Sequence, residues 1–274
     1  MMRRRLYDRY FLYGTIAFFA LIYSLPAYMA IVTALKYRKD IVLAHAWNLP
    51  IPFTFHAFSE AFKLLLPNVV NSIILTVTAT IISALIGSIN GYVFSKYKFP
   101  GSEIIFVFLL LGMFIPYQII LIPLFSVLNT LHLTGSLIGL IVTHVVYGIS
   151  IVTLIFRGFY DRIPQEIIES GSIDGAGFFT IYLKLMLPLV MNGFIVVSIW
   201  QFTQIWNEFL WGTTLTGQSS QPITVKLAQL AGGQAVAWNL TMAGAFISAL
   251  PVLLIYIFLG KYFISGLLAG SVKG

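Results

Sequence analysis

The sequence contains no cysteine and few charged residues. Its 274 residues include no Cys, and charged residues make up 9% of them. A chain without cysteine has no disulfide framework, no thiolate metal site and no cysteine nucleophile. Soluble domains carry roughly a quarter charged residues. Because 59% of this chain is hydrophobic, the composition predicts an integral membrane protein.

The apolar runs predict an all-α fold with six transmembrane helices. Each run is long enough to cross ~30 Å of hydrocarbon as a helix of ~20 residues, whereas a membrane barrel uses alternating strands of ~10 residues. The first run is longer than the apolar region of a signal peptide, so we expect an uncleaved helix. The predicted spans are Phe11–Leu35, Asn68–Phe94, Ile104–Leu128, Leu137–Phe156, Leu189–Trp211 and Leu240–Tyr262.

Lysine and arginine residues predict the orientation of the chain. With the N-terminus inside, the side that also holds the loop after the fourth span receives eleven of the 16 basic residues, as the positive-inside rule requires. Both termini are then cytoplasmic in a multi-pass protein of the cell membrane. We interpret the net charge of +7 as a topology signal and an attraction to anionic lipid headgroups. Nucleic-acid binding would need these charges gathered on one solvated face.

A polar segment, ESGSIDGAGFFTIYLKLMLP from Glu169 to Pro188, interrupts the apolar sequence between the fourth and fifth spans. Pro164 suits a first helical turn, and a helix through Ser172 would place Ile167, Ile168 and Gly171 on one face. Glycines after Asp174 break that helix, and Phe178 to Leu187 form a second helix that ends at Pro188. The segment therefore predicts a short helical hairpin on the cytoplasmic side.

The apolar face of this hairpin needs a cover. It could rest on lipid headgroups, or it could dock in a groove of a second protein. In the docking interpretation Ile167, Ile168 and Gly171 enter the groove and Glu169 meets a basic residue. The residues alone leave both interpretations open.

The spacing of this segment resembles the EAA motif of binding-protein-dependent ABC importer permeases, E-A-A-x-x-x-G-x(9)-I-x-L-P. The flanking IPQEIIESGSIDGA and the later WNEFL are similar to the carbohydrate-uptake branch, the maltose-type second permease. Ser170 and Gly171 replace the two alanines, and Leu185 replaces isoleucine. The resemblance implies that residues in and next to this motif couple to an ATPase. They are Ile167, Ile168, Glu169, Ser170, Gly171, Asp174, Gly175, Leu187 and Pro188.

The resemblance implies a type I importer fold with a defined set of partners. It divides the chain into an N-terminal helix and outer segment (1–67), a core domain (68–263) with its coupling loop at 157–188, and a short cytoplasmic tail (264–274). The implied partners are a second, homologous permease, two ATP-binding cassette ATPases, an extracytoplasmic sugar-binding protein and membrane lipid. No G-x-x-x-x-G-K-[ST] loop occurs, so we expect this chain to bind no cofactor and the ATPases to use ATP and Mg²⁺.

Other polar residues give weaker signals. Asn207 and Glu208 near the outer end of the fifth span are expected to line the pathway or to make structural hydrogen bonds, because an ionisable group at membrane depth must face protein or water. The resemblance suggests that the binding protein is contacted around residues 229–234. The residues proposed there are Gln229, Gly232, Gly233 and Gln234. His144 has no second ligand four residues away, so no metal site is expected.

The sequence argues against two other classes of protein. An ion-coupled carrier needs intramembrane acids, and only Glu208 is a serious candidate. An intramembrane enzyme needs a motif such as H-E-x-x-H or a serine with a positioned base, and neither occurs. The sequence favours a transport subunit that is not an enzyme and does not identify the sugar.

Overall fold

The chain is helical throughout most of the part that the structure describes. The computed structural model describes residues 2–233 and 236–271. Side chains are described for residues 9–233 and 236–260. The helices are α1 (Met2–Ala34), α2 (His56–Lys96), α3 (Ser102–Leu111), α4 (Leu121–Thr130), α5 (Leu137–Tyr160), α6 (Glu166–Ile173), α7 (Phe178–Leu189), α8 (Met191–Trp206), α9 (Leu210–Leu215), α10 (Ile223–Ala231) and α11 (Trp238–Ser271). A π-helical turn, Tyr182–Met186, lies within α7.

Several of these helices are long and apolar enough to cross a membrane. Among the described residues they are Arg9–Ala34 of α1, all of α2 and α5, and Trp238–Gly260 of α11. The pair formed by α7 and α8 also qualifies, although it bends by 75°. The expected all-α membrane fold is confirmed, whereas the count of six spans and the side on which the termini lie stay predictions.

The predicted third span, Ile104–Leu128, is not one continuous helix. It is divided into α3 and α4 by a short 3₁₀ turn, Gly112–Phe114, and a non-helical stretch around Pro116. Ile115 has an extended backbone (φ −75°, ψ 118°), as expected for a residue before proline. The stretch remains apolar, so hydropathy alone did not detect the break.

The predicted fifth span, Leu189–Trp211, also differs from the structure. Its helix α8 stops at Trp206, and a separate short helix, α9, begins at Leu210. Glu208 therefore lies in a connection between two helices and not within a helix.

Two glycines bring α2 and α5 into close contact. A Cβ atom on Gly87 would overlap the side chain of Val152, and one on Gly91 would lie 2.7 Å from the backbone nitrogen of Arg157. Gly87 and Gly91 form a G-x-x-x-G pattern, which allows membrane helices to approach at backbone distance. The pattern is visible in the sequence, although hydropathy does not reveal it.

The chain packs as two compact units. One unit comprises Met1–Leu66 with Lys226–Ala249, and the other comprises Pro67–Val225 with Leu250–Gly274. The second unit contains the segment with the EAA spacing, together with α2 from Pro67 onward, α3, α5 and α8. The domain boundaries inferred from the resemblance stay a prediction.

Candidate functional site

The helix α6 ends in a Schellman motif at the predicted turn. The N–H of Ala176 donates to the carbonyl of Gly171 over 3.0 Å, and the N–H of Gly175 donates to the carbonyl of Ser172 over 3.0 Å. Gly175 has φ of +80°, a conformation that a residue with a Cβ rarely adopts. The predicted reversal at Gly175 is therefore present.

The face of α6 that carries Ile168 and Gly171 is covered by the chain itself. Ile168 is only 5% exposed, and Gly171 is buried against Leu185 and Ile181 of α7. Ile167 is partly buried and packs on the same core. The prediction that Ile168 and Gly171 enter a groove of another protein does not agree with this burial. Both residues instead hold α6 against α7.

The second helix of the hairpin does not end at Pro188. Leu187, Pro188 and Leu189 form its last turn, and the chain then bends by 75° into α8. Pro188 is the next-to-last residue of α7, so the helix extends one residue beyond it. The π-helical turn that precedes it carries the buried residues Tyr182 and Met186.

The opposite face of α6 is exposed and mixed in character. Glu166, Glu169, Ser170 and Ile173 follow the i, i+3, i+4, i+7 spacing of one helical face. Ile173 is 85% exposed. On α7 the apolar side chains of Phe179 and Leu183 are 66% and 57% exposed. These three apolar residues were not predicted, although helical spacing from Glu166 and Glu169 would have indicated Ile173.

Seven exposed residues of the segment that contains α6 and α7 are candidates for contact with a partner, and we refer to them together as the coupling face. It comprises Glu166, Glu169, Ser170, Ile173, Asp174, Phe179 and Leu183.

A buried hydroxyl network fastens the hairpin to the long helices. The hydroxyl of Tyr182 on α7 donates to Ser88 Oγ of α2 over 3.0 Å, and Ser88 Oγ lies 2.8 Å from the hydroxyl of Tyr160 at the end of α5. Next to it, the hydroxyls of Tyr92 and Tyr97 are 2.9 Å apart. Since buried polar groups are costly when unpaired, this network favours one docked position of the hairpin.

Charged residues hold the beginning of the loop. Arg157 donates to both carboxylate oxygens of Glu103 on α3, over 2.8 and 3.2 Å, and its guanidinium lies 4.1 Å from the ring centre of Phe106. The ammonium of Lys96 donates to the carbonyl of Ile163 over 2.5 Å. The last turn of α5 is therefore tied to α3, and the segment that follows α5 is tied to α2.

A cavity of about 530 Å³ lies in the same unit. Aromatic and amide side chains from the stretch before α4, from α5, from α8 and from the α8–α9 connection form its wall. The lining residues include Tyr117, Tyr147, Trp200, Gln201, Gln204, Asn207, Glu208 and Trp211. The predicted pair Asn207 and Glu208 is thus placed on one cavity wall.

Glu208 is held by backbone donors. Its carboxylate accepts the N–H of Trp211 over 2.6 Å and the N–H of Gly212 over 3.0 Å, both in the first turn of α9. Its own carbonyl accepts the hydroxyl of Thr224 over 2.8 Å. His144 Nε2 lies 3.9 Å from the carboxylate. The predicted structural hydrogen bonds of Glu208 are present.

The residues predicted to contact a binding protein lie elsewhere. Gln229 belongs to α10, and Gly232 and Gly233 follow its end. Gln234 lies outside the described residues. None of the described members of this group lines the cavity. Among the described residues no cluster of three or more His, Asp or Glu could hold a metal ion.

Comparison with known proteins identifies the family. Residues 84–267 match the family described as binding-protein-dependent transport system inner membrane component. The chain belongs to this family. The permease is 44% identical over the whole of both chains to the "probable ABC transporter permease protein" of Pyrococcus horikoshii. It is also 31% identical to the xylose/arabinose import permease protein of Haloferax volcanii, over 93% of this chain and 90% of that protein.

Solved structures agree with the fold. The permease matches a bacterial ABC transporter involved in import of the polysaccharide alginate with a TM-score of 0.82, at 20% identity over 93% of this chain and 97% of that chain. The expected fold class, a type I ABC importer permease, is therefore confirmed. The protein is a transport subunit and not an enzyme, and it is a multi-pass membrane protein.

Proposed function

We propose that this permease forms half of the translocation pathway of an ATP-driven sugar importer and receives the motion of an ATPase through the coupling face. The observation that carries the proposal is the exposed, partly apolar face of a hairpin that is itself rigidly fastened to α2 and α5. Such a face is costly to leave in water, and a fastened hairpin can transmit force. ATP and Mg²⁺ would be bound by the ATPase subunits.

The chemistry of the coupling face suits a protein groove. Ile173, Phe179 and Leu183 would supply the apolar contacts, while Glu169 would pair with a basic residue of the ATPase. If that ion pair is desolvated, loss of Glu169 costs ~2 to 5 kcal/mol, whereas a pair at the rim of the interface contributes almost nothing. Ile168 and Gly171 act indirectly in this proposal, because they shape the hairpin from within.

Two isoleucines of one helix provide a matched test. Ile173→Ala removes an exposed side chain and should weaken binding of the ATPase subunits without lowering the stability of the permease. Ile168→Ala empties a buried site and should lower the free energy of unfolding by about 2–5 kcal/mol. Association of the purified subunits and unfolding of the permease in detergent measure the two effects. Unchanged ATPase association in both Ile173→Ala and Glu169→Ala would contradict the proposal.

The cavity suits a neutral carbohydrate as it passes through the membrane. Ligand cavities typically have volumes of about 300–1,000 Å³ and combine aromatic walls with a few polar groups. In this cavity Trp200 and Tyr147 offer aromatic surface, and Gln204 and Asn207 offer amide donors and acceptors. The relative from Haloferax volcanii is a xylose/arabinose permease, and one from Saccharolobus solfataricus is a glucose import permease. These names support a sugar as the substrate class.

Transport by the reconstituted importer tests the pathway. Proteoliposomes would contain this permease, its partner permease, the ATPases and the binding protein. Gln204→Ala should reduce sugar uptake while the ATPase subunits remain bound. Gln218→Ala, at an exposed amide outside the cavity lining, is the matched control. Equal uptake by the two variants would argue against this cavity as part of the pathway.

The remaining partners follow from the same proposal. An external binding protein would dock on the extracytoplasmic side of the membrane, where the family resemblance suggests a contact around residues 229–234, and both termini would be cytoplasmic. Support comes from the family's dependence on a binding protein and from a neighbouring structure of an alginate transporter in complex with a periplasmic protein. A second, homologous permease would complete the pathway. Single-cysteine labelling from either side of the membrane tests the orientation, since the chain has no cysteine of its own.

A further inference from the structure

The loop between α1 and α2, residues 35–55, exposes an unusual amount of apolar surface. Within this α1–α2 loop, six large apolar side chains between positions 43 and 55 are each more than half exposed. Leu43, at 94%, and Ile51, at 85%, are the most exposed of them. The others are Trp47, Leu49, Phe53 and Phe55. Contiguous apolar surface of this kind marks an interaction site, with protein or with membrane.

The α1–α2 loop is closed at its base by hydrogen bonds. Lys36, which is almost fully buried, donates its ammonium to the carbonyls of His45 and Ala46 over 2.7 and 3.1 Å. The N–H of Thr54 donates to the carbonyl of Leu35 over 2.9 Å. Burial lowers the pKa of Lys36. The exposed apolar residues therefore belong to a held loop and not to a loose tether.

The loop folds back along α1. The hydroxyl of Tyr28 donates to the carbonyl of Trp47 over 3.1 Å, and the two rings stack with centroids 6.5 Å apart. Tyr28 lies six residues before the end of α1 at Ala34, which corresponds to about 9 Å along the helix. Trp47 is consequently held beside the last two turns of a membrane-spanning helix.

The end of a membrane-spanning helix is where lipid headgroups meet acyl chains. Interfacial segments bury their apolar side about 5–10 Å into that boundary, and tryptophan is enriched there. Through the Tyr28–Trp47 contact the loop adjoins α1, whose side chains from Arg9 to Ala34 are mostly exposed. Arg38 and Lys39, at the polar start of the loop, are exposed and suited to lipid phosphates.

We propose that the α1–α2 loop is an interfacial membrane anchor, which inserts Leu43, Trp47 and Ile51 into the lipid boundary beside α1. The occupant of this surface is the bilayer itself, with anionic headgroups over the basic residues. The anchor fixes the depth and tilt at which α1 leaves the membrane.

Spin labels on single introduced cysteines test the proposal. Because the natural sequence contains no cysteine, each variant carries only the introduced one. A nitroxide would be attached to the full-length permease in vesicles of phosphatidylethanolamine and phosphatidylglycerol. The labelled variants are Leu43→Cys and Ile51→Cys, with Lys39→Cys as the exposed polar control. At positions 43 and 51 collisions with oxygen should exceed those with a water-soluble nickel chelate. At position 39 the order should be reversed. Lys36→Met, which removes the bonds to His45 and Ala46, should move the label at 43 toward water.

Other outcomes overturn the anchor. Labels at 43 and 51 that collide mainly with the nickel chelate would place the loop in water. Labels shielded from both reagents would place it against protein. A fall in both collision rates only after the binding protein is added to the assembled importer would make the loop a docking site for that protein.

Discussion

Removal of the Glu208 carboxylate is expected to destabilise the α8–α9 connection. In Glu208→Ala the backbone N–H groups of Trp211 and Gly212 lose a charged acceptor. A hydrogen bond to a charged group contributes about 1.5–3 kcal/mol, so loss of both costs about 3–6 kcal/mol. Glu208→Gln keeps one carbonyl oxygen but turns an NH₂ toward the other N–H. We expect it to cost about half as much.

Unfolding of the purified permease in mixed micelles, titrated with dodecyl sulfate, measures these differences. The expected order of stability is wild type, then Glu208→Gln, then Glu208→Ala. Glu60→Ala is the matched control, because Glu60 is exposed and pairs with His56, which is also exposed. Exposed positions of this kind shift stability by about 0.5 kcal/mol or less.

The same variants separate a structural role of Glu208 from a proton-carrying role. Trp211 packs edge-on against Tyr117, Tyr147 and His144, with ring centroids 5.0 to 5.7 Å apart, so a loosened α9 should also disturb the cavity wall. Loss of uptake should therefore accompany loss of stability. If Glu208→Gln were as stable as wild type and yet abolished uptake, the carboxylate would act through its charge or its proton, and a purely structural role would be refuted.

Three further changes test the packing around the coupling loop. Gly91→Ala should cost about 1–3 kcal/mol of stability, because its methyl group would press on the backbone of Arg157; unfolding in micelles measures this. Tyr182→Phe removes one donor to Ser88 and should lower the free energy of unfolding by about 0.5–1.5 kcal/mol. The loss should be smaller when Ser88→Ala is already present, and a double-mutant cycle measures this coupling. Arg157→Lys should lower the stability by about 0.5–1 kcal/mol, because the guanidinium no longer stacks on the Phe106 ring. Glu103→Gln should lower the stability by less, because exposed ion pairs contribute little. The same unfolding titration compares the two variants.

The membrane fold could be predicted from the sequence, and the breaks in its helices could not. Apolar runs located α1, α2, α5 and α11 because hydrocarbon selects for uninterrupted apolar length. Hydropathy does not distinguish a straight helix from two short ones, and the residues around Pro116 are apolar enough to hide the break. Residues before proline disfavour the helical conformation, but Pro26, Pro67 and Pro251 lie inside continuous helices, so this rule alone could not have located the break.

The hairpin shows a second limit of prediction from sequence. Helical spacing correctly grouped Ile168 and Gly171 on one dry face, and the turn at Gly175 was placed correctly. An amphipathic pattern reveals which face avoids water but not which molecule covers it. In this protein α7 returns across that face, so the cover comes from the same chain, and the exposed residue Ile173 becomes the better candidate for a partner contact.

The helix α5 connects the coupling loop to the cavity. Its end carries Tyr160 of the hydroxyl network, and its middle lines the cavity through Tyr147 and Ile151. Nine residues separate Ile151 from Tyr160, which is about 14 Å along a helix. Close packing on α2 at Gly87 and Gly91 keeps this distance rigid. A shift of the hairpin that moves Tyr160 must therefore displace the cavity wall or break the α2–α5 contact. The α2–α5 contact leaves little free space, because a methyl group at Gly91 would overlap the backbone of α5.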